Sequence, residues 1–171
     1  MVEAVSITML SQPMFNLTVD TAHTFFVGDG EWLVHNETCS WPPNMPVTPE
    51  GESLADLADD AHEQAFFTHT SAVTKVDGKI YVTTNGGASK KIRADIKRWA
   101  EHHGYTYLDN DVKMTTLPGI LTNDHAEQFL YYYFSDKGGV NIIGVSGAPC
   151  TGACQTFFTP ELGVQIVYNR K

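Results

Sequence analysis

The sequence predicts an α/β domain, and three observations predict it. Segments with helical spacing of apolar residues alternate with short β-branched and aromatic runs across residues 53–171. Asp77-Gly78 separates two of those runs, and Asp-Gly between apolar alternations is the strongest short hairpin signal. Val140–Val145 is a run with Asn141 as its one polar residue, as in a strand covered on both faces.

The first stretch, residues 1–36, reads as a β-hairpin: His23-Thr24-Phe25-Phe26-Val27 and Trp32-Leu33-Val34-His35-Asn36 flank Gly28-Asp29-Gly30. Residues 37–52 hold Pro42, Pro43, Pro46, Pro49 and Gly51, which predicts an irregular linker. A helix is expected from Ser53, with Ser53 as N-cap, Asp56 at N3, and Leu54, Leu57, Ala58, Ala61, Ala65 and Phe66 in helical register. Strands follow at 71–76 and 79–84, closed by Asn85-Gly86-Gly87.

Ser89 to His103 is a second helix, with Ile92, Ile96, Trp99 and Ala100 on one side and Gly104 as the residue that ends it. Tyr105–Leu108 supplies a short strand, and 109–122 a loop. Asn123 or Asp124 is placed to cap a helix from His125 through Phe134, stopped by Lys137-Gly138-Gly139. Strand 140–145, a helix over Pro149–Phe158 and a last strand at 164–168 complete a sheet of four to five strands.

Composition bounds the function. With 171 residues and 42% hydrophobic side chains, the chain suits one ordinary domain plus a tail. No apolar run approaches the roughly 18 residues of a membrane span, and no basic segment followed by an apolar stretch marks a signal peptide. Three cysteines are a poor basis for a disulfide framework, so a reduced, cytoplasmic working environment is expected.

The net charge of −9 is unevenly spread. Residues 64–171 hold all 11 Lys and Arg against nine acids. Lys90, Lys91, Arg93, Lys97 and Arg98 cluster on the second helix; they read either as a solvated helix face or as a footprint for a phosphate backbone.

The chemistry-bearing stretch is His125-Ala126-Glu127 followed by Pro149-Cys150-Thr151-Gly152-Ala153-Cys154. One imidazole and two thiolates fill three of zinc's four tetrahedral positions and leave the fourth for water. Glu127 is not needed as a ligand and is free to carry protons. Residues three or four apart share a helix face, so Cys150 and Cys154 can meet one ion. Singly, these residues have plainer readings: His125 and Glu127 as a helix start, the cysteines as small buried hydrophobes, or the zinc as merely structural.

Jointly they resemble the H-x-E … P-C-x-x-C signature of the zinc-dependent cytidine deaminase superfamily. The second cysteine departs from that pattern, coming four residues after the first. The resemblance covers roughly 64–171. It implies a three-layer fold with a mixed sheet, helices on both faces and Zn²⁺ between two helix N-termini. It further implies hydrolysis of cytosine to uracil, with Glu127 moving the protons. The backbone around Ala126 and Ala148, Pro149 and Cys150 would read the base edge. Asn85 would contact sugar or base, although Asn-Gly also makes an ordinary turn.

Val34-His35-Asn36 and the strands before it resemble the end of a Hint (hedgehog/intein) domain. That resemblance implies Asn36 as the cyclising residue, His35 as its proton donor and His23 as a helper. The N-terminal half and the nucleophilic start of such a domain are missing here, so self-cleavage is not expected. Hint domains of this type precede toxins in large bacterial secreted proteins. The expectation for 53–171 is therefore a deaminase toxin, delivered into a target cell's cytoplasm, acting on nucleic acid and held by a cognate immunity protein. Single-stranded DNA is the favoured substrate, with RNA also open. A free nucleoside deaminase and a non-catalytic zinc-containing toxin are the alternatives.

Overall fold

The computed structural model describes residues 24–27, 32–35, 38–43, 45–67, 69–110, 125–151 and 153–169. The chain divides into two units, Met1–His35 and Asn36–Lys171. In the first, β1 (Thr24–Val27) and β2 (Trp32–His35) pair antiparallel with Thr24 opposite His35, so the expected hairpin is present. His23 and Asn36 lie outside the described residues, as does the side chain of His35.

The second unit holds β3 (Thr38–Trp41), α1 (Pro49–Gln64), β4 (Ser71–Val76), β5 (Lys79–Thr84), α2 (Lys90–His102) and β6 (Thr106–Tyr107). After these come α3 (Ala126–Phe134), β7 (Ile142–Val145), α4 (Cys154–Phe157), a 3-10 turn at Pro160–Leu162 and β8 (Gln165–Asn169). Among the described residues six strands form one mixed sheet in the order β3-β8-β7-β4-β5-β6. The pairs β7–β8 and β5–β6 are parallel and the others antiparallel.

That is one strand more than the four to five expected, and the addition is β3. Residues 37–52 are therefore not an irregular linker throughout. Thr38–Trp41 lies upstream of Pro42, Pro43, Pro46 and Pro49, so none of them bars it from pairing with β8. The first helix also starts earlier than Ser53. Thr48 is its N-cap, accepting from the Gly51 backbone N–H at 3.1 Å, and Pro49 occupies the first turn. A proline there loses no intrahelical hydrogen bond.

Elsewhere the local chemistry gives the expected elements. Asp77 and Gly78 take φ of 49° and 76°, the doubly left-handed turn that closes a two-residue hairpin. Ser89 caps α2 through the Ile92 N–H at 3.3 Å. Alternation along the strands sends Val73, Val82 and Ile142 to a core with Leu54, Ala58, Ala61, Ile96 and Ala100 of α1 and α2. Ala72, Ile143, Val145 and Ile166 go to the opposite core, with Phe129, Leu130, Phe134 of α3 and Cys154 of α4.

Helices thus cover both faces of the sheet. On the first face α1 lies directly on β7: a Cβ at Gly144 would come within 2.1 Å of the Leu54 carbonyl carbon. Because β4 runs antiparallel to β5 and β7, the C-terminal ends of β5, β6, β7 and β8 share one end of the sheet. Ligands of open α/β sheets bind beyond the carboxyl ends of strands. No helix among the described residues is long and apolar enough to cross a membrane.

Candidate metal centre

His125 is the N-cap of α3, in extended conformation with φ −102° and ψ 121°. The cap expected at Asn123 or Asp124 lies outside the described residues. His125 Nδ1 lies 3.2 Å from Cys154 Sγ and 3.8 Å from Cys150 Sγ, and the two sulfurs are 3.4 Å apart. Zinc bonds of about 2.3 Å to sulfur and 2.0–2.1 Å to nitrogen, at tetrahedral angles, call for separations of about 3.8 Å (S to S) and 3.6 Å (S to N). The observed triangle matches within a few tenths of an ångström, so the three side chains fit such an ion. Cys154 is buried, His125 half-buried and Cys150 exposed.

The cysteine segment differs from the expected helix over Pro149–Phe158. Among the described residues only Cys154–Phe157 is helical, so Cys150 is not on the same helix face. The chain instead wraps the first sulfur: the Cys154 N–H donates to Cys150 Sγ at 3.3 Å, and the Gln155 N–H to the Cys150 carbonyl at 3.0 Å. Gln155 Nε2 also donates to the Pro149 carbonyl at 3.0 Å. Cys150 and Cys154 therefore meet through a turn at the start of α4, opposite the start of α3. That turn accommodates the four-residue spacing.

Glu127 is 4% exposed and Gln128 5%. Burial pushes the Cys154 thiol pKa up, and the neighbouring Glu127 carboxylate, within hydrogen-bonding reach, adds to the shift. A bound dication reverses that preference, because it stabilises the thiolate more than a proton does.

The other predicted contacts fall as follows. Ala126 is fully buried in the first turn of α3, Pro149 is buried and Ala148 is exposed after β7. Asn85 follows β5 at the same end of the sheet as Ala148 and Pro149, joined across it by the Thr84–Ser71 pair and the Ser146 N–H to Ser71 carbonyl bond. It also makes a turn: its carbonyl accepts from the Ala88 N–H, and its side chain accepts from Thr84 Oγ1.

The basic group on α2 is largely engaged within the protein. Lys91 and Arg98 both pair with Asp95, and Lys97 with Glu101. Arg93 bonds the carbonyls of Ala88 and Gly86 and the carboxylate of Asp109, so it holds the loop after β5. Lys90 is exposed in the first turn of α2. A cavity of about 540 Å³, lined by Phe66, Lys91, Arg98 and Trp99 among others, opens between the end of α1 and α2. It lies across the sheet from His125 and the two cysteines and belongs to a different face.

Comparison with family models, curated proteins and solved structures finds no match. Reading of the site therefore rests on its chemistry. Two residues were not foreseen from the sequence: Gln128, whose Nε2 faces Cys154 Sγ at 4.0 Å, and Trp41, whose Nε1 donates to the Phe158 carbonyl just after α4. A glutamine beside Glu127 reads as an ordinary helix-start residue, and Trp41 sits among prolines. Neither carries a sequence signal for a role at the centre.

Proposed function

We propose that this chain is a zinc-dependent cytosine deaminase that acts on nucleic acid, single-stranded DNA in the first place, as an antibacterial toxin. The observation that carries the reading is the convergence of His125, Cys150 and Cys154 within 4.8 Å, with the buried Glu127 carboxylate beside Cys154. The element order supports it too: helix, hairpin, inserted helix, His helix, strand, Cys turn and strand follow the order of the resembled family.

Zinc, when bound, supplies a Lewis acid that lowers the pKa of a water toward neutrality. His125, Cys150 and Cys154 would hold the ion. Glu127 takes a proton from the attacking water, hands it to ring N3 and then serves the departing amine. A C4–O bond forms, the C4–N bond breaks, one water is consumed and ammonia leaves, so no oxidant or reductant is required. At 4% exposure Glu127 is shielded from bulk solvent, which keeps the transferred proton on this path. An unpaired base needs no unstacking before it meets a catalytic centre, which favours a single strand.

The ion pairs of Lys91, Lys97 and Arg98 favour one second reading, a free nucleoside deaminase, because they leave less unpaired charge for a phosphate track. The deciding experiment incubates zinc-loaded protein with a cytosine-containing single strand, its duplex, RNA and free cytidine. Expected is uracil in the single strand and none with Glu127→Gln. Turnover of cytidine alone selects the second reading, and no turnover of any substrate overturns the deaminase assignment. Toxicity on expression and its relief by a cognate immunity protein test the biological role.

A further inference from the structure

Each sulfur of the centre faces its own N–H donor. Cys150 Sγ receives the Cys154 backbone N–H at 3.3 Å, and Cys154 Sγ receives the side-chain amide of Gln128 at 4.0 Å. The first donor comes with the turn and survives any side-chain change. The second depends on one residue.

We propose that Gln128 is a positioning residue of the metal centre, donating to the Cys154 thiolate and thereby orienting it and tightening its hold on the ion. This role presupposes the three-ligand zinc site. At the third position of a helix, glutamine commonly reaches back to the cap. Here it is turned toward α4, 5% exposed, with water largely excluded as an alternative partner. Cys154 is itself fully buried and shares its surroundings with the Glu127 carboxylate. An amide N–H aimed at the sulfur fixes the direction in which Cys154 presents it, while the Glu127 carboxylate stays available for proton transfer. Groups that bond to metal ligands set affinity in this way elsewhere.

The test uses the full chain carrying Gln128→Leu, which keeps the volume and removes the donor, and Gln128→Glu, which removes the donor and adds charge. Zinc affinity is read by competition with a chromophoric chelator. Cobalt(II) substitution gives the thiolate-to-metal charge-transfer band. Both variants are expected to bind zinc about 10–100-fold more weakly. In Gln128→Leu the charge-transfer band is expected at lower energy, because a thiolate without its hydrogen bond gives up an electron more easily. Circular dichroism checks that each variant is folded, and either folded variant suffices. Wild-type affinity and an unshifted band in a folded variant would overturn the role of Gln128 alone. Failure of the wild-type chain to take up zinc or cobalt would overturn the metal centre itself, and this inference with it.

Discussion

The indole Nε1 of Trp41 donates to the carbonyl oxygen of Phe158 at 3.0 Å, joining the first strand of the sheet to the residue that closes the Cys154 turn. Phe158 in turn donates its N–H to the Cys154 carbonyl at 2.8 Å. Trp41→Phe keeps an aromatic side chain and removes the donor, leaving a carbonyl unpaired beside the fully buried Phe158 side chain. A loss of about 1–3 kcal/mol is expected in urea unfolding. Zinc affinity should fall with it, because the turn that presents Cys154 loses an anchor.

A chain begun at Ser53 is expected to fail. It lacks β3 and the Thr48 cap of α1, and it exposes β8 as an unpaired edge, which invites aggregation. A chain begun at Glu37 retains both. Size-exclusion chromatography and circular dichroism should find the longer form folded and monodisperse and the shorter one aggregated. Equal behaviour of the two would show that β3 is dispensable.

Gly144→Ala tests the contact of α1 with β7. The added methyl would meet the Leu54 carbonyl at 2.1 Å and Ala55 N at 2.6 Å, both backbone atoms that cannot rotate aside. Overpacking of this kind costs about 1–3 kcal/mol, and more where backbone must move. Thermal unfolding is expected to drop by several degrees or more. An unchanged Tm would place α1 farther from the sheet than described.

Asp60 carries a pH prediction. Packing around its carboxyl, then the charges of Glu63, Asp56 and Asp59, raise its pKa above the ordinary range. A group whose folded-state pKa is raised contributes stability below the unfolded value and loses it as pH rises through the folded one. Ionised Asp60 therefore opposes folding at neutral pH. Asp60→Asn is expected to raise the urea midpoint at pH 7, with the gain shrinking as pH falls through the carboxylate range. A gain that grew on acidification would contradict the assigned cause.

How far the sequence reveals this fold depends on whether the signal is local. Asp77-Gly78, the Ser89 cap and the buried run before Val145 carry their own chemistry, and the elements stand where they were expected. The grouping of His125, Cys150 and Cys154 was legible because thiolate and imidazole chemistry constrains residue type and order. β3 was not, since the four residues Thr-Cys-Ser-Trp are a short run that Pro42 and Pro43 follow at once, and its partner β8 lies more than 120 residues away. The short α4 was obscured too. Proline near a helix start invites a longer helix, whereas the Cys154 N–H turns onto the Cys150 sulfur instead. The basic face of α2 was visible in sequence, but its pairing with Asp95 and Glu101 emerges only from side-chain geometry.

The most direct measurement is the metal content of the purified chain after zinc-replete expression and removal of loosely bound ions. One zinc per chain is expected for the wild type, unchanged in Glu127→Gln and lost in Cys154→Ala and His125→Ala. A wild type without zinc, or zinc retained in a chain lacking both His125 and Cys154 side chains, would contradict the account.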